Sequence, residues 1–194
     1  VTASIQDALR LGCSGIGFTI YPGSDASLEM FEEIRDLAAE AKSKGLVVVI
    51  WSYARGNLSK EGETAIDVVA YGAHMAALLG AHIIKVKLPS SFLESPEAKI
   101  QYQKHSVKVD TLADRVRHIT ECCFQGRRMV VFSGGETKNI QEVLEDAHAI
   151  QAGGGNGSIM GRNCFQRPRS EALSLLEQLI DVYKKTSPRG GGHA

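Results

Sequence analysis

Two lysines interrupt a short stretch of apolar and β-branched residues. Lys85 and Lys87 belong to the run His82–Lys87, in which the other residues favour a strand. Because successive side chains of a strand point to opposite faces, the two lysines share one face and lie roughly 7 Å apart. An unpaired ammonium buried in such a strand is unfavourable. The alternative is that both lysines lie at the strand end, where they reach solvent or pair with carboxylates.

Lys85 is the candidate nucleophile of this strand. Burial and a nearby like charge both lower the pKa of an amine, and a neutral amine can attack a ketone to form an imine. Lys87 is the candidate for that like charge. The sequence therefore indicates imine chemistry, although the strand alone leaves the solvent-facing alternative open.

Polar residues also follow the preceding apolar run, Leu46–Trp51. Tyr53 could transfer protons during the cleavage of a carbon–carbon bond, as general acid/base residues do. It could also pack on Trp51 at the rim of the sheet. Arg55 could bind an anion or pair with a surface acid.

Two glycine-rich segments follow the last two predicted strands. They contain Ser133, Gly134 and Gly135 after one strand, and Gly161 and Arg162 after the other. Each precedes a predicted helix, whose free N–H groups and positive dipole end favour an anion. Glycine-rich turns are common, but two of them on adjacent strands indicate a phosphate site.

The elements that position these residues alternate along the chain. Five strands are predicted at Gly15–Ile20, Leu46–Trp51, His82–Lys87, Arg128–Phe132 and Ser158–Met160. Helices are predicted at about Ala3–Leu11, from Ser24 or Asp25 to Lys44, and at about Thr64–Leu79, Thr111–Phe124, Thr137–Ala152 and Ser170–Lys185. Consecutive βα units imply an α/β fold with a parallel sheet and right-handed crossovers. A doubly wound sheet and a barrel both fit this pattern.

Five βα units do not close a standard eight-stranded barrel. We therefore expect about three N-terminal units to be missing, so that the chain is a fragment of a longer protein. Association that covers the open sheet edges is the alternative. We predict one partial barrel domain over residues 1–186 and a flexible, glycine-rich tail over residues 187–194.

The composition disfavours several classes of partner. Lys and Arg number 22, as do Asp and Glu, so no basic excess indicates nucleic acid or an acidic membrane surface. The longest apolar runs are too short to cross a bilayer. The four cysteines lack CxxC spacing and the six histidines lack HxH or HExxH spacing. We therefore expect no metal and no cofactor, and reduced thiols in the cytoplasm.

Four motifs at successive strand ends resemble those of the archaeal-type class I fructose-bisphosphate aldolases. They are Trp51–Gly56, Ala81–Lys87, Phe132–Gly135 and Met160–Gln166, and the resemblance extends over about Ser4–Tyr183. It implies a (β/α)8 TIM barrel, of which this chain supplies about five C-terminal βα units, strands 4–8. It also implies cleavage of fructose 1,6-bisphosphate to dihydroxyacetone phosphate and glyceraldehyde 3-phosphate through a Schiff base, without metal.

By this resemblance Lys85 is the Schiff-base lysine, Tyr53 is the acid/base, and the two glycine-rich segments bind substrate phosphate. Ala54 stands where the family usually has proline or leucine. The family's aspartate at the end of strand 1 has no counterpart. We expect a phosphorylated sugar substrate and a homo-oligomer. A related Schiff-base lyase or transferase acting on another phosphorylated ketose, such as an aminodideoxyheptulosonate synthase, and a non-catalytic barrel fragment are the alternatives.

Overall fold

The computed structural model describes residues 3–135 and 137–184. In these ranges five parallel strands form one sheet: β1 Gly15–Ile20, β2 Val47–Ser52, β3 Ile83–Lys87, β4 Met129–Ser133 and β5 Gly157–Ile159. The helices are α1 Ile5–Arg10, α2 Ser27–Ser43, α3 Ile66–Leu78, α4 Pro96–Lys104, α5 Leu112–Cys122, α6 Ile140–Ala152, α7 Arg162–Phe165 and α8 Arg169–Lys184. A 3-10 turn, Gly62–Thr64, precedes α3. The predicted parallel α/β fold is confirmed.

Each strand pairs with the next strand along the chain, in the order β1-β2-β3-β4-β5. Right-handed crossovers that all step in one direction place their helices on one face of the sheet. The burial of β3 agrees with this winding, because Ile84 and Val86 are buried whereas Lys85 and Lys87 are partly exposed on the other face. A doubly wound sheet would reverse its strand order and carry helices on both faces. The observed winding is that of a barrel wall.

The main core lies between the sheet and the helices of that one face. Large side chains with almost no exposure come from alternate strand positions: Ile20, Val48, Ile50, Ile84, Val86, Val130 and Phe132. Helices α2 and α3 pack on β1, β2 and β3, and α3 contributes buried alanines that allow close approach. Burial of each large apolar side chain stabilises the fold by about 1.5–3 kcal/mol. This layer holds the strands in place, so the residues of the opposite face have fixed positions.

Three helical details differ from the sequence prediction. Helix α4 lies between the third predicted strand and the helix predicted at about Thr111–Phe124, where no element is predicted. None of its residues is buried, so the sequence shows no apolar periodicity there. Helix α2 begins after Ala26, without a side-chain cap, rather than at Ser24 or Asp25. The short helix α7 precedes α8.

Two sequence predictions fall on residues without a described structure. The predicted tail, residues 187–194, lies outside the described residues, as do residues 185–186 of the predicted domain. Within the described ranges, no helix combines the length and the apolar character needed to cross a membrane.

Candidate active site

The carboxyl ends of β2, β3, β4 and β5 surround one cavity of about 400 Å³. It is lined by Tyr53, Arg55, Lys85, Lys87, Ser133, Gly134, Gly135, Ile159, Met160, Gly161, Arg162 and Asn163. Strand register explains part of this convergence, because Lys85 is level with Trp51 of β2 and Lys87 with Ser133 of β4. The structure therefore brings every residue predicted for chemistry or phosphate binding to a single cavity.

Lys85 contacts the predicted acid/base residue. Its Nζ donates a hydrogen bond to the Tyr53 hydroxyl and lies 5.0 Å from the centre of the tyrosine ring. The apolar strand around Lys85 predicts a largely desolvated amine, but Lys85 is half-buried. Its side chain is partly exposed because its face of β3 opens to the cavity. The contact places a phenol within proton-transfer reach of an amine.

Lys87 and Arg55 share a carboxylate that sequence reasoning missed. Lys87 Nζ lies 2.6 Å from Glu63 Oε2, and Arg55 Nη1 donates to the same oxygen at 3.0 Å. The hydrogen bond from Lys87 holds the pKa of Glu63 below its usual value, although burial opposes this shift. Arg55 therefore both pairs with an acid and lines the cavity. The tuning role of Lys87 stays a prediction, and its charge is compensated by Glu63.

Arg162 joins the two glycine-rich segments. Its Nη2 donates to the Gly135 carbonyl oxygen at 2.8 Å. Gly135 has a φ of 66°, in the left-handed region that disfavours residues with a side chain. Gly161 precedes the first residue of α7, and no side chain caps that helix. A guanidinium and backbone from both segments therefore meet at one end of the cavity.

The helix after Gly135 does not serve the cavity as predicted. Helix α6 begins at Ile140, and Asn139 and Glu142 close its N-terminus with a capping box. These side chains already satisfy N–H groups there, and the Glu142 carboxylate repels an anion. The segment from Gly161 likewise opens the short α7 rather than α8. An anion in the cavity would therefore use the glycine-rich backbone and Arg162.

Asn163 is a second residue of the site that the sequence did not identify. Its side chain is buried, and its Oδ1 accepts a hydrogen bond from the Lys138 backbone N–H at 2.7 Å. A Cβ on Gly134 would lie 3.4 Å from Asn163 Nδ2, so the amide packs closely beneath the glycine. Asn163 thereby fixes the segment after β4 relative to α7. A single asparagine in the first turn of a short helix has no local pattern that distinguishes this role.

The lining of the cavity is strongly basic. Arg55, Lys85, Lys87 and Arg162 contribute four cationic side chains, and no acidic residue stands among the described residues that line it. In the described ranges, no group of three or more His, Cys, Asp and Glu side chains is placed to hold a metal ion. An amine beside a phenol, in a cationic cavity at the carboxyl edge of a parallel sheet, defines an α/β protein suited to carbonyl chemistry on anionic substrates.

The chain belongs to the DeoC/LacD family of aldolases, whose model matches residues 1–167. It is 34% identical over 188 residues to a class 1 fructose-bisphosphate aldolase of Halobacterium salinarum, a match that covers 96% of this chain and 62% of that protein. It is 33% identical over 169 residues to the fructose-bisphosphate aldolase/6-deoxy-5-ketofructose 1-phosphate synthase of Methanocaldococcus jannaschii, which covers 87% of this chain and 48% of that protein.

A solved archaeal fructose-1,6-bisphosphate aldolase, with its catalytic Lys covalently bound to the carbinolamine intermediate, has a similar fold. Its TM-score is 0.75 at 29% identity, and the match covers 94% of this chain and 63% of that structure. The chain thus spans between 48% and 63% of the length of these proteins. The resemblance to class I fructose-bisphosphate aldolases that the four motifs predicted is confirmed.

Proposed function

We propose that this chain carries the catalytic face of a class I, metal-independent aldolase that cleaves fructose 1,6-bisphosphate to dihydroxyacetone phosphate and glyceraldehyde 3-phosphate. The observation that carries the proposal is the hydrogen bond from Lys85 to Tyr53 inside a cationic cavity. The names of similar proteins support the same reaction.

Lys85 is the nucleophile in this proposal. Its neutral amine attacks the C2 ketone, the carbinolamine loses water, and the resulting iminium accepts the electron pair released when the C3–C4 bond breaks. Tyr53, whose own proton left with that water, takes the proton from the C4 hydroxyl as a phenolate, and glyceraldehyde 3-phosphate leaves. A proton then returns to C3 of the enamine, and water hydrolyses the iminium to release dihydroxyacetone phosphate and the free lysine.

The glycine-rich end of the cavity is the proposed phosphate site. Ser133, Gly134 and Gly135 would offer backbone to one side of the phosphate, and Gly161 and Arg162 to the other. The hydrogen bond from Arg162 to Gly135 supports this role because it already holds the two segments together. Guanidinium groups bind phosphate oxygens through charge-assisted hydrogen bonds.

We further propose that the five strands correspond to strands 4–8 of a (β/α)8 barrel, and that residues 1–186 are one domain. The one-way strand order and the helices on a single face support this assignment, as does the similarity to a longer aldolase. The proposal includes a homo-oligomer in the cytoplasm, where the four free cysteines would stay reduced.

A second candidate reaction is the related Schiff-base chemistry on another phosphorylated ketose. It is favoured by the relative from Methanocaldococcus jannaschii, whose name includes the synthesis of 6-deoxy-5-ketofructose 1-phosphate. Lys85, Tyr53 and the phosphate segments would have the same roles in that reaction. The substrate alone would differ.

The test is an assay of triose phosphate release from fructose 1,6-bisphosphate, run beside a panel of other phosphorylated ketoses. We expect cleavage that survives EDTA and is lost after borohydride treatment in the presence of dihydroxyacetone phosphate. Faster turnover of another ketose would establish the second candidate. Absence of both turnover and borohydride-dependent inactivation would reject both reactions in favour of a non-catalytic fragment.

A further inference from the structure

Glu63 lies behind the cavity wall, in contact with two of the basic residues that line it. Its Oε2 accepts from Lys87 Nζ at 2.6 Å and from Arg55 Nη1 at 3.0 Å. We propose that Glu63 is a positioning residue, which holds the Lys87 ammonium and the Arg55 guanidinium at the wall and away from the Lys85 amine. The inference deepens the proposed function and rests on it.

The backbone that carries Glu63 is tied on both sides. Gly62 N donates to Ser59 Oγ at 2.9 Å, and Ser59 in turn donates to the Glu94 carboxylate through its N and Oγ, at 2.9 and 2.7 Å. On the other side, Ser90 N donates to the Thr64 carbonyl oxygen at 2.7 Å. A Cβ on Gly62 would come within 2.7 Å of the Glu94 carboxylate, so glycine permits this close approach. The carboxylate of Glu63 is therefore presented from a fixed turn.

The two lysines of β3 have separate partners in the segment that follows β2. Lys85 donates to Tyr53, whereas Lys87 pairs with Glu63. Both lysines project from the same face of the strand, roughly 7 Å apart. Without Glu63, the flexible Lys87 side chain would lose the carboxylate that directs it and could compete with Lys85 for the tyrosine or for the substrate. Separate partners keep one amine available for attack.

Glu63 also lowers the positive potential of the cavity. Its carboxylate lies beside two of the four basic side chains, and each phosphate of the substrate carries about −1.5 to −2 charges at neutral pH. Removal of this carboxylate therefore strengthens phosphate binding while it disorders Lys87. Binding and turnover should change in opposite directions. A purely structural role would weaken both, because a damaged fold loses affinity and activity together.

The effect of the Glu63 charge on phosphate affinity depends on how far solvent reaches the three charged side chains. The side chains of Glu63, Lys87 and Arg55 are 35%, 29% and 43% exposed, so solvent screens their charges in part. With an effective dielectric constant between those of a protein surface and of water, we expect the loss of the Glu63 charge to tighten phosphate binding about threefold. Misplacement of a group near the reacting atoms lowers the rate more strongly, here by about tenfold.

The test compares Glu63→Gln with Glu61→Gln, which removes the charge of an exposed acid beside the same turn. Calorimetric titration with inorganic phosphate should show about threefold tighter binding for Glu63→Gln, and its kcat for fructose 1,6-bisphosphate should fall about tenfold. The control should match the wild type in both. An unchanged kcat, or a joint loss of phosphate affinity, kcat and melting temperature, would overturn the proposal.

A second variant covers the case in which Glu63→Gln does not fold. Glu63→Asp keeps the charge but shortens the reach by one methylene, so phosphate affinity should stay at the wild-type value while kcat falls. Full kcat in this variant would reject the positioning role. If the wild-type chain shows no turnover at all, the proposed function fails, but the phosphate titration still tests the role of Glu63. Equal phosphate affinity in the wild type and Glu63→Gln would then reject the proposal for Glu63.

Discussion

Replacement of Tyr53 by phenylalanine removes the hydroxyl to which Lys85 Nζ donates and leaves the aromatic ring in place. A hydrogen bond of this kind stabilises a protein by about 0.5–1.5 kcal/mol, and both residues here are partly exposed. For a chain of this length, that change corresponds to a melting temperature lower by about 1–6 °C. Stability should therefore fall only slightly.

Turnover of Tyr53→Phe should fall far more than its stability. A general acid/base residue contributes about 10²–10⁴-fold, so kcat for fructose 1,6-bisphosphate should decrease by that factor. Borohydride trapping of dihydroxyacetone phosphate should largely persist, because the Lys85 amine is intact. Tyr71→Phe is the control, since Tyr71 is 59% exposed and lies on α3. Near-normal turnover of Tyr53→Phe would refute the assignment and return this tyrosine to a packing role.

Two further predictions concern phosphate and pH. Arg162→Ala should raise KM for phosphorylated substrates about ten- to hundredfold and leave activity on unphosphorylated analogues nearly unchanged; equal losses would mean that its bond to Gly135 serves only the fold. Burial lowers the pKa of His118, whose Nε2 lies 2.7 Å from the Tyr102 hydroxyl. As pH falls, His118 binds a proton at a higher pH in the unfolded chain than in the folded one. Protonation therefore favours unfolding, and the free energy of unfolding should fall as pH drops below about 6.5. Urea unfolding at pH 8 and pH 5 should show a smaller decrease for His118→Leu than for the wild type, and equal decreases would contradict this.

Much of the fold follows from local sequence patterns. The run Gly15–Ile20 coincides with β1. Strand β2 is shifted by one residue at both ends, and β3 begins one residue later than predicted. The order of the strands in the sheet could not be predicted, because barrels and doubly wound sheets share the same alternation of strands and helices. It depends on which strands pair, and such pairing joins residues distant in the chain, as Trp51 and Lys85 are. Helix α4 was missed because none of its residues is buried.

The residues of the site likewise differ in whether the local sequence identifies them. Lys85 stands out because a charged residue interrupts an apolar strand, and Tyr53 because it follows the end of the neighbouring strand. Glu63 has no such local signal. Its approach to Lys87 depends on the path of the segment after β2 and on the hydrogen bonds that tie its turn to the segment after β3. Long-range contacts of this kind are invisible to spacing and periodicity.

The most direct test of the account is borohydride trapping with dihydroxyacetone phosphate, followed by peptide mapping, in the wild type, Lys85→Met and Lys87→Met. Lys85→Met should fold at least as well as the wild type, because a half-buried charge is replaced by an apolar side chain. The account predicts an adduct on Lys85 in the wild type and in Lys87→Met, and none in Lys85→Met. Full trapping in Lys85→Met, or an adduct mapped to Lys87 in the wild type, would contradict it.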